Sequence, residues 1–308
     1  MPLLYCAPIR GVTDYIFRNI FEKYFGKFDF LMTPFIPTVK GEIINPSHLR
    51  DIQPEHNDLS RVIPQIIGNN PSQFTVLAKA LHDIGYQSVN WNLGCPSPQI
   101  TRKKRGSGLL SHPEILRSFL DIVMKELSCP LSLKVRLGYR NEHELLRLIP
   151  IFNQYPFHEI IIHARTGIQI YSGNVNLDIF GQCLEALRHP VIYNGDITTV
   201  TFFRSIRTRF SSVKGWMIGR GIVSDPFLLK ALRSGTYQSD KKRLKRFHDE
   251  LYIQNSDILQ GPAHLLGKMK ELWSFLASSF PENPELLKRI LRVNTLKHYC
   301  QIVNELFS

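Results

Sequence analysis

The run Ser88-Val89-Asn90-Trp91-Asn92-Leu93-Gly94-Cys95-Pro96 sets a thiol at the end of an alternating pattern. Val89, Trp91 and Leu93 alternate with Asn90 and Asn92, the period of a strand, and the run breaks at Gly94. Glycine permits a tight turn, and proline fixes φ and removes a donor. Cys95 therefore reads as presented rather than packed. Free cysteine is also a common small core residue, and this stretch alone leaves both readings open. A second group is Ser132, Lys134 and Arg136, which share one side of a strand. A lysine in that setting could form a Schiff base or act as a fixed charge for an anionic ring or a phosphate. Arg136 would lower its pKa or help to bind an anion.

Two glycine-bearing turns add a third possibility. Asn194-Gly195-Asp196 and Gly219-Arg220-Gly221 follow short apolar runs, so backbone amides could approach a phosphate with an arginine at hand. Phe227 and a helix after Ser224 fit the short extra helix that often accompanies such a corner. A phosphorylated cofactor held there would spread towards Lys134, His163 and Gln65 at its polar edge, with Pro8 and Ile9 under its ring. Flavin mononucleotide (FMN) matches that layout, since its reduced ring favours a nearby positive charge. His163 could equally be a packed core histidine.

The elements that must position these groups recur in order. Eight apolar runs end at 3–7, 28–32, 61–67, 89–93, 131–137, 159–163, 191–193 and 215–218, most of them followed by a helical pattern. Thr13 is placed to cap the first helix. A longer connection runs through Pro46 and Pro54. Eight strand-then-helix units predict a (β/α)8 TIM barrel, α/β in class, with its chemistry at the C-terminal strand ends. Arg10, Gln65, Cys95, Lys134, Arg136, His163, Arg165, Asn194, Asp196 and Arg220 all fall there. An open doubly wound sheet is disfavoured by the strand count and by the lack of GxGxxG after the first strand. Beyond about Thr236 only helical patterns appear, at 242–254, 263–280, 284–291 and 295–306. The expected division is a catalytic barrel over 1–236 and a small C-terminal helical bundle over 237–308, packed on the barrel or joined flexibly to it.

The chain has 308 residues, 43% of them hydrophobic, and a net charge of +12. That excess favours an anionic partner, nucleic acid being the commonest large one. Two basic clusters stand out: Arg102-Lys103-Lys104-Arg105, close after Cys95, and Lys241-Lys242-Arg243 with Lys245-Arg246. The second could be no more than a solvated helix face. Five scattered cysteines without a CxxC pair suggest neither a zinc site nor a disulfide framework, and a reducing cytoplasm fits them. No run is long enough for a membrane span, and the N-terminus reads as a strand rather than a signal peptide.

In combination, Ala7-Pro8-Ile9-Arg10-Gly11-Val12-Thr13-Asp14, Pro64-Gln65-Ile66-Ile67-Gly68, Asn92-Leu93-Gly94-Cys95-Pro96-Ser97-Pro98, Lys134-Val135-Arg136-Leu137-Gly138, His163-Ala164-Arg165-Thr166, Asn194-Gly195-Asp196-Ile197 and Met217-Ile218-Gly219-Arg220-Gly221 resemble the tRNA-dihydrouridine synthase family. The C-terminal helical part is similar to that family's RNA-binding domain, and Lys268–Leu276 to its bacterial C-type branch. The resemblance implies an FMN enzyme that reduces the C5–C6 bond of selected uridines in tRNA, with NADPH as electron source and a monomer expected. Carried across, Cys95 would be the general acid. Ala7, Pro8, Ile9, Gln65, Lys134, His163, Asn194, Gly195, Asp196, Gly219 and Arg220 would hold FMN. Asn92 and Arg136 would face the uracil; Arg102, Lys103, Lys104 and Arg105, by their charge and their nearness to Cys95 rather than by the resemblance, would meet the substrate RNA. A thiol with a reference pKa near ~8.5 is mostly protonated at neutral pH and can supply a proton. Ile9 and Arg10 depart from the family's usual residues, Ala164 stands where glycine is frequent, and the cluster at 102–105 is unusually basic. An enzyme of free dihydropyrimidines or dihydroorotate has no need of a basic helical platform. An aldolase using Lys134 leaves Cys95 and Gln65 without work. A dead RNA-binding module predicts a missing strand-end group.

Overall fold

The computed structural model describes residues 2–39 and 49–308; Pro46 lies outside them. Strands β1 (Leu3–Cys6), β2 (Phe30–Met32), β3 (62–67), β4 (Val89–Leu93), β5 (Leu131–Gly138), β6 (Ile160–Thr166), β7 (Val191–Asn194) and β8 (Gly215–Ile218) are all parallel. Each lies beside its sequence neighbours, and β8 returns to β1 with Cys6 opposite Ile218. β3 falls into two halves, Val62–Ile63 and Gln65–Ile67, because Pro64 has no N–H to add to the ladder. The first half pairs with β2 and the second with β4, so the chain through Pro64 closes the barrel. A short strand, Ile36–Pro37, adds to the second half.

The expected alternation in β4 is observed with both faces buried. Trp91 points outward and stacks on Phe119, their ring centroids 4.0 Å apart, while Asn90 and Asn92 point into the barrel among Gln65 and Ser132. The barrel interior holds a separate apolar cluster of Tyr5, Ala7, Met32, Ile63, Ile161, Ile192 and Met217. Register then brings the polar groups together at one end. Asn92 lies opposite Lys134, Arg136 opposite His163, and His163 opposite Asn194.

Around the barrel run α1 (Tyr15–Phe25), α2 (Pro71–Ile84), α3 (Pro113–Glu126), α4 (Glu144–Phe152), α5 (Leu177–Ala186), α6 (Val200–Arg209), α7 (Arg220–Ser224) and α8 (Leu228–Ser234). Three of these differ from the sequence reading. Asp14, not Thr13, caps α1, accepting from Phe17 N at 3.0 Å; the Thr13 hydroxyl instead accepts from Ile9 N at 2.7 Å. Helix α5 follows a long loop that hid its periodicity. The helix expected after Ser224 is present as α8, but a further short helix, α7, starts directly after Gly219 and ends at Ser224.

The chain ends in α9 (Lys241–Ile258), α10 (Pro262–Leu276), α11 (Pro284–Arg292) and α12 (Leu296–Phe307). These helices pack on the barrel. Phe247 of α9 meets Phe25 of α1 with centroids 5.0 Å apart, Glu250 binds Lys23 and Tyr24, and Lys268 of α10 donates to Gly11 O at 2.7 Å. Among the described residues no helix is long and apolar enough to cross a membrane.

Candidate active site

A cavity of about 1100 Å³ opens at the C-terminal ends of the strands. It exceeds the roughly 300–1,000 Å³ of ordinary small-molecule sites. Its lining includes Ala7, Pro8, Ile9, Gln65, Asn92, Cys95, Lys134, Arg136, His163, Asn194, Gly195, Asp196, Gly219 and Arg220. Fourteen residues nominated from sequence thus meet in one space.

Cys95 sits on a turn held from both sides. The Asn92 side-chain oxygen accepts from Gly94 N at 3.0 Å and from Cys95 N at 2.8 Å. The Cys95 carbonyl accepts from Ser107 N at 3.0 Å and from the Ser107 hydroxyl at 3.1 Å. Arg136 Nε donates to Gly94 O at 2.9 Å. Gly106 is required here, because a Cβ on it would fall 2.5 Å from the Cys95 carbonyl oxygen. The thiol is half-buried and among the described residues forms no disulfide. Burial pushes its pKa up, against the lowering pull of Arg136, Arg10 and Lys134, so the side chain is a protonated thiol at neutral pH.

Lys134 Nζ donates to the Asn194 side-chain oxygen at 3.0 Å. Burial, with Arg136 beside it, brings its pKa down to about 7. The sign of the linkage is fixed: the unfolded chain binds this proton more tightly. Protonation therefore costs stability fully below pH 7, and the cost fades as pH rises towards the ordinary lysine value. In flavin-free protein, Lys134→Met should accordingly be more resistant to urea than the parent near pH 7, by a margin that shrinks up to about pH 10. A margin independent of pH would mean that Lys134 keeps its ordinary pKa.

His163 is buried beside Arg136, Lys134, Arg165 and Arg220. Burial first, and these cations next, hold its pKa well below the usual imidazole value, leaving it neutral. Its Nε2 faces Arg165 Nη1 at 3.5 Å, which assigns the ring proton to Nδ1.

At the far end Asp196 joins two arginines. Arg165 Nη1 and Nη2 both reach its carboxylate, the first at 2.8 Å, and Arg220 Nη2 reaches it at 2.7 Å. Gly195 at φ +142° and Asp196 at φ +46° turn the chain to permit this. Gly221 answers to packing, since its Cβ would lie 2.1 Å from Ile197 O. Arg220 also stacks on Tyr171, 4.2 Å from the ring centroid. Ile170, unusually for a β-branched residue, has φ +52° and brings Tyr171 over the cavity.

The sequence reading did not assign roles to Arg165, Tyr171 or Ser107. Nor did it reach Glu271, Ser274 and Ser278, which line the cavity from α10 and the turn after it. The Glu271 carboxylate lies against Gly11, within 2.5 Å of where a Cβ would stand. Arg102, Lys103, Lys104 and Arg105 lie outside the cavity. The first three are exposed, and Asn69 binds the Lys103 and Lys104 carbonyls and Arg105 Nε.

A family model described as dihydrouridine synthase (Dus) matches residues 5–291. The chain is 29% identical over 232 residues to tRNA-dihydrouridine synthase B of Pasteurella multocida, covering 75% of this chain and 69% of that protein. It is 25% identical over 299 residues to tRNA-dihydrouridine(16) synthase of Pseudomonas putida, covering 93% and 91% respectively. Among solved structures, the fold is similar to a morphinone reductase variant in complex with tetrahydroNAD, with TM-score 0.53, 9% identity and coverage of 78% and 89%. It is also similar to TcOYE with pHBA, with TM-score 0.54, 8% identity and coverage of 84% and 96%.

Proposed function

Because the chain belongs to the dihydrouridine synthase family, we propose that it is a tRNA-dihydrouridine synthase, an oxidoreductase that uses FMN and NADPH to reduce the C5–C6 bond of a uridine in tRNA. The observation that carries this reading is the convergence, in one cavity, of a clamped protonated thiol with a lysine and a neutral histidine at the strand ends.

The donor set fits a flavin mononucleotide. Ala7, Pro8, Ile9 and Met217 supply an apolar wall, against which a flat ring can lie. Lys134 and His163 offer donors to its polar edge, while Gln65, whose NH2 goes to Asn90 and Met32, would border the ring without a free N–H. The arginine of the Gly219-Arg220 turn gives one N–H to Asp196; its other N–H groups make no hydrogen bond among the described residues and can take a phosphate. Lys134 gains most from such a ligand, since an anionic ring edge would restore its charge. When bound, the flavin would supply a hydride to C6 of the uracil.

Cys95 then gives its proton to C5. The base has to leave its stack to reach the cavity. Arg136 spends Nε and Nη1 on Gly94 O and Thr166 O, which leaves Nη2 for a uracil carbonyl. Asn92 keeps one N–H for the same base, its oxygen being committed to the Cys95 turn. Arg102 to Arg105 and the basic start of α9 would meet RNA phosphates outside the cavity. The division into a catalytic barrel over 1–236 and a helical RNA-binding part over 237–308, a monomeric state and a cytoplasmic location belong to the same reading. The low pKa of Lys134 would also suit a Schiff-base lysine, but an aldolase leaves the Cys95 clamp unexplained.

The test begins with the purified protein. Heat-released supernatant should show a flavin absorption band and chromatograph as FMN. With NADPH and unmodified tRNA the protein should form dihydrouridine, detected by mass spectrometry of the nucleosides. Colourless protein that takes up no added FMN would overturn the reading.

A further inference from the structure

Below the cavity, four buried side chains form one hydrogen-bonded line across β3, β4 and β5. The Ser132 hydroxyl lies 3.3 Å from Val89 O, the one acceptor it has among the described residues. Asn90 Nδ2 donates to Ser132 Oγ at 2.8 Å. Gln65 Nε2 donates to Asn90 Oδ1 at 2.8 Å, and Asn92 Nδ2 donates to Gln65 Oε1 at 2.7 Å. Asn92 Oδ1 then accepts from the backbone of Gly94 and Cys95. All four residues are buried, Ser132 at 1% exposure and Asn90 and Gln65 at 0%.

The line has a polarity, and the backbone at its far end fixes it. The Gly94 and Cys95 N–H groups can only donate, so Asn92 turns its oxygen to them and its NH2 to Gln65. Gln65 gives its NH2 to Asn90, and Asn90 gives its NH2 to Ser132. A hydroxyl can both accept and donate, so Ser132 closes the line by accepting from Asn90 while its own proton goes to Val89 O. Without that acceptor the Asn90 N–H is left unsatisfied in a buried place, at a cost of about 1–3 kcal/mol that weighs against the orientation the line holds. From this geometry we infer that Ser132, through Asn90, is a positioning residue for Cys95. It fixes the amide orientation that clamps the turn carrying the thiol, and it touches neither cofactor nor substrate. The line also runs through Gln65, so two side chains that line the cavity, Gln65 and Asn92, share the support of one buried hydroxyl. This assignment rests on the proton-donor reading of Cys95 for its effect on turnover, but not for its effect on the turn.

Ser132→Val and Ser132→Thr test it as a pair. Both add the same bulk to a buried site, and they differ only in the hydroxyl. In the valine variant Asn90 loses its acceptor and can flip, and the flip propagates until the Asn92 NH2 meets the N–H groups of Gly94 and Cys95. Two measurements follow. The first is the rate at which iodoacetamide alkylates Cys95 in the purified protein, read by mass spectrometry with the Cys300 peptide as internal control. It should rise about threefold or more in Ser132→Val as the turn loosens, and stay near the parent in Ser132→Thr. The second is dihydrouridine formed in a single turnover. It should fall on the order of tenfold in the valine variant only. Should the valine variant not fold, Ser132→Ala against parent replaces the pair for both measurements. The same alkylation rate with and without the hydroxyl overturns the assignment. Altered alkylation in a protein that makes no dihydrouridine supports the positioning role while the functional reading fails.

Discussion

Cys95→Ala should keep its flavin, oxidise NADPH and bind tRNA as the parent does, while dihydrouridine formed per reduced flavin in a single turnover falls on the order of a hundredfold to ten-thousandfold. The separation follows from how the turn is built. The hydrogen bonds that fix it run through backbone atoms of Gly94 and Cys95 to Asn92, Ser107 and Arg136. Alanine keeps all of these and deletes the acid, losing with it the Ser97 N–H contact to the thiol. Burial raises the thiol's pKa, so the parent's proton-transfer step should be flat through neutral pH. It should decline only as pH climbs past the ordinary cysteine value and the thiol empties. If Cys95 were packing alone, alanine would lower the melting temperature and leave turnover nearly intact. A variant that reduces uridine near the parent rate would leave the proton donor unidentified.

The barrel was legible because its strands carry their own punctuation. Leu131–Gly138 begins after Pro130, Val191–Asn194 after Pro190, and several others end at glycine. Pro64, by contrast, splits a strand without ending the run, and only the pairing shows that its two halves serve different neighbours. The strand-end residues converged for the reason that period two and parallel register leave them no other direction. What stayed hidden were groups placed by long-range packing. Glu271 and Ser274 carry no local sign that α10 folds back over Gly11. Ser107 reads as one small residue in a basic loop until it is seen gripping the Cys95 carbonyl. In the same loop Arg102 to Arg105 are near Cys95 in sequence, but the chain turns them outside the cavity. Capping was off by one residue because Thr13 and Asp14 are both good caps, and only the competing bond from Ile9 N to Thr13 separates them.

The larger stability effect is expected at Asp196. Its carboxylate is the anion for Arg165, whose side chain is 2% exposed, and for Arg220, at 34%. Around them stand Lys134, Arg136 and a His163 that burial keeps neutral. Asp196→Asn keeps the shape, and asparagine tolerates the left-handed φ of +46°. The substitution removes the one charge that, among the described residues, pairs with a buried guanidinium. Losing one partner of a buried pair costs about 3–5 kcal/mol, and the low end, about 3 kcal/mol, is expected here because Asp196 itself is 30% exposed. The check is urea unfolding, where the midpoint should drop with the slope unchanged. Adding Arg165→Met should recover much of the loss, since removing both charges takes away the uncompensated one. An Asp196→Asn protein as stable as the parent would mean that Arg165 is solvated by water in the cavity and owes little to this carboxylate. In that case the corner would be held by the Gly195 and Gly221 packing instead.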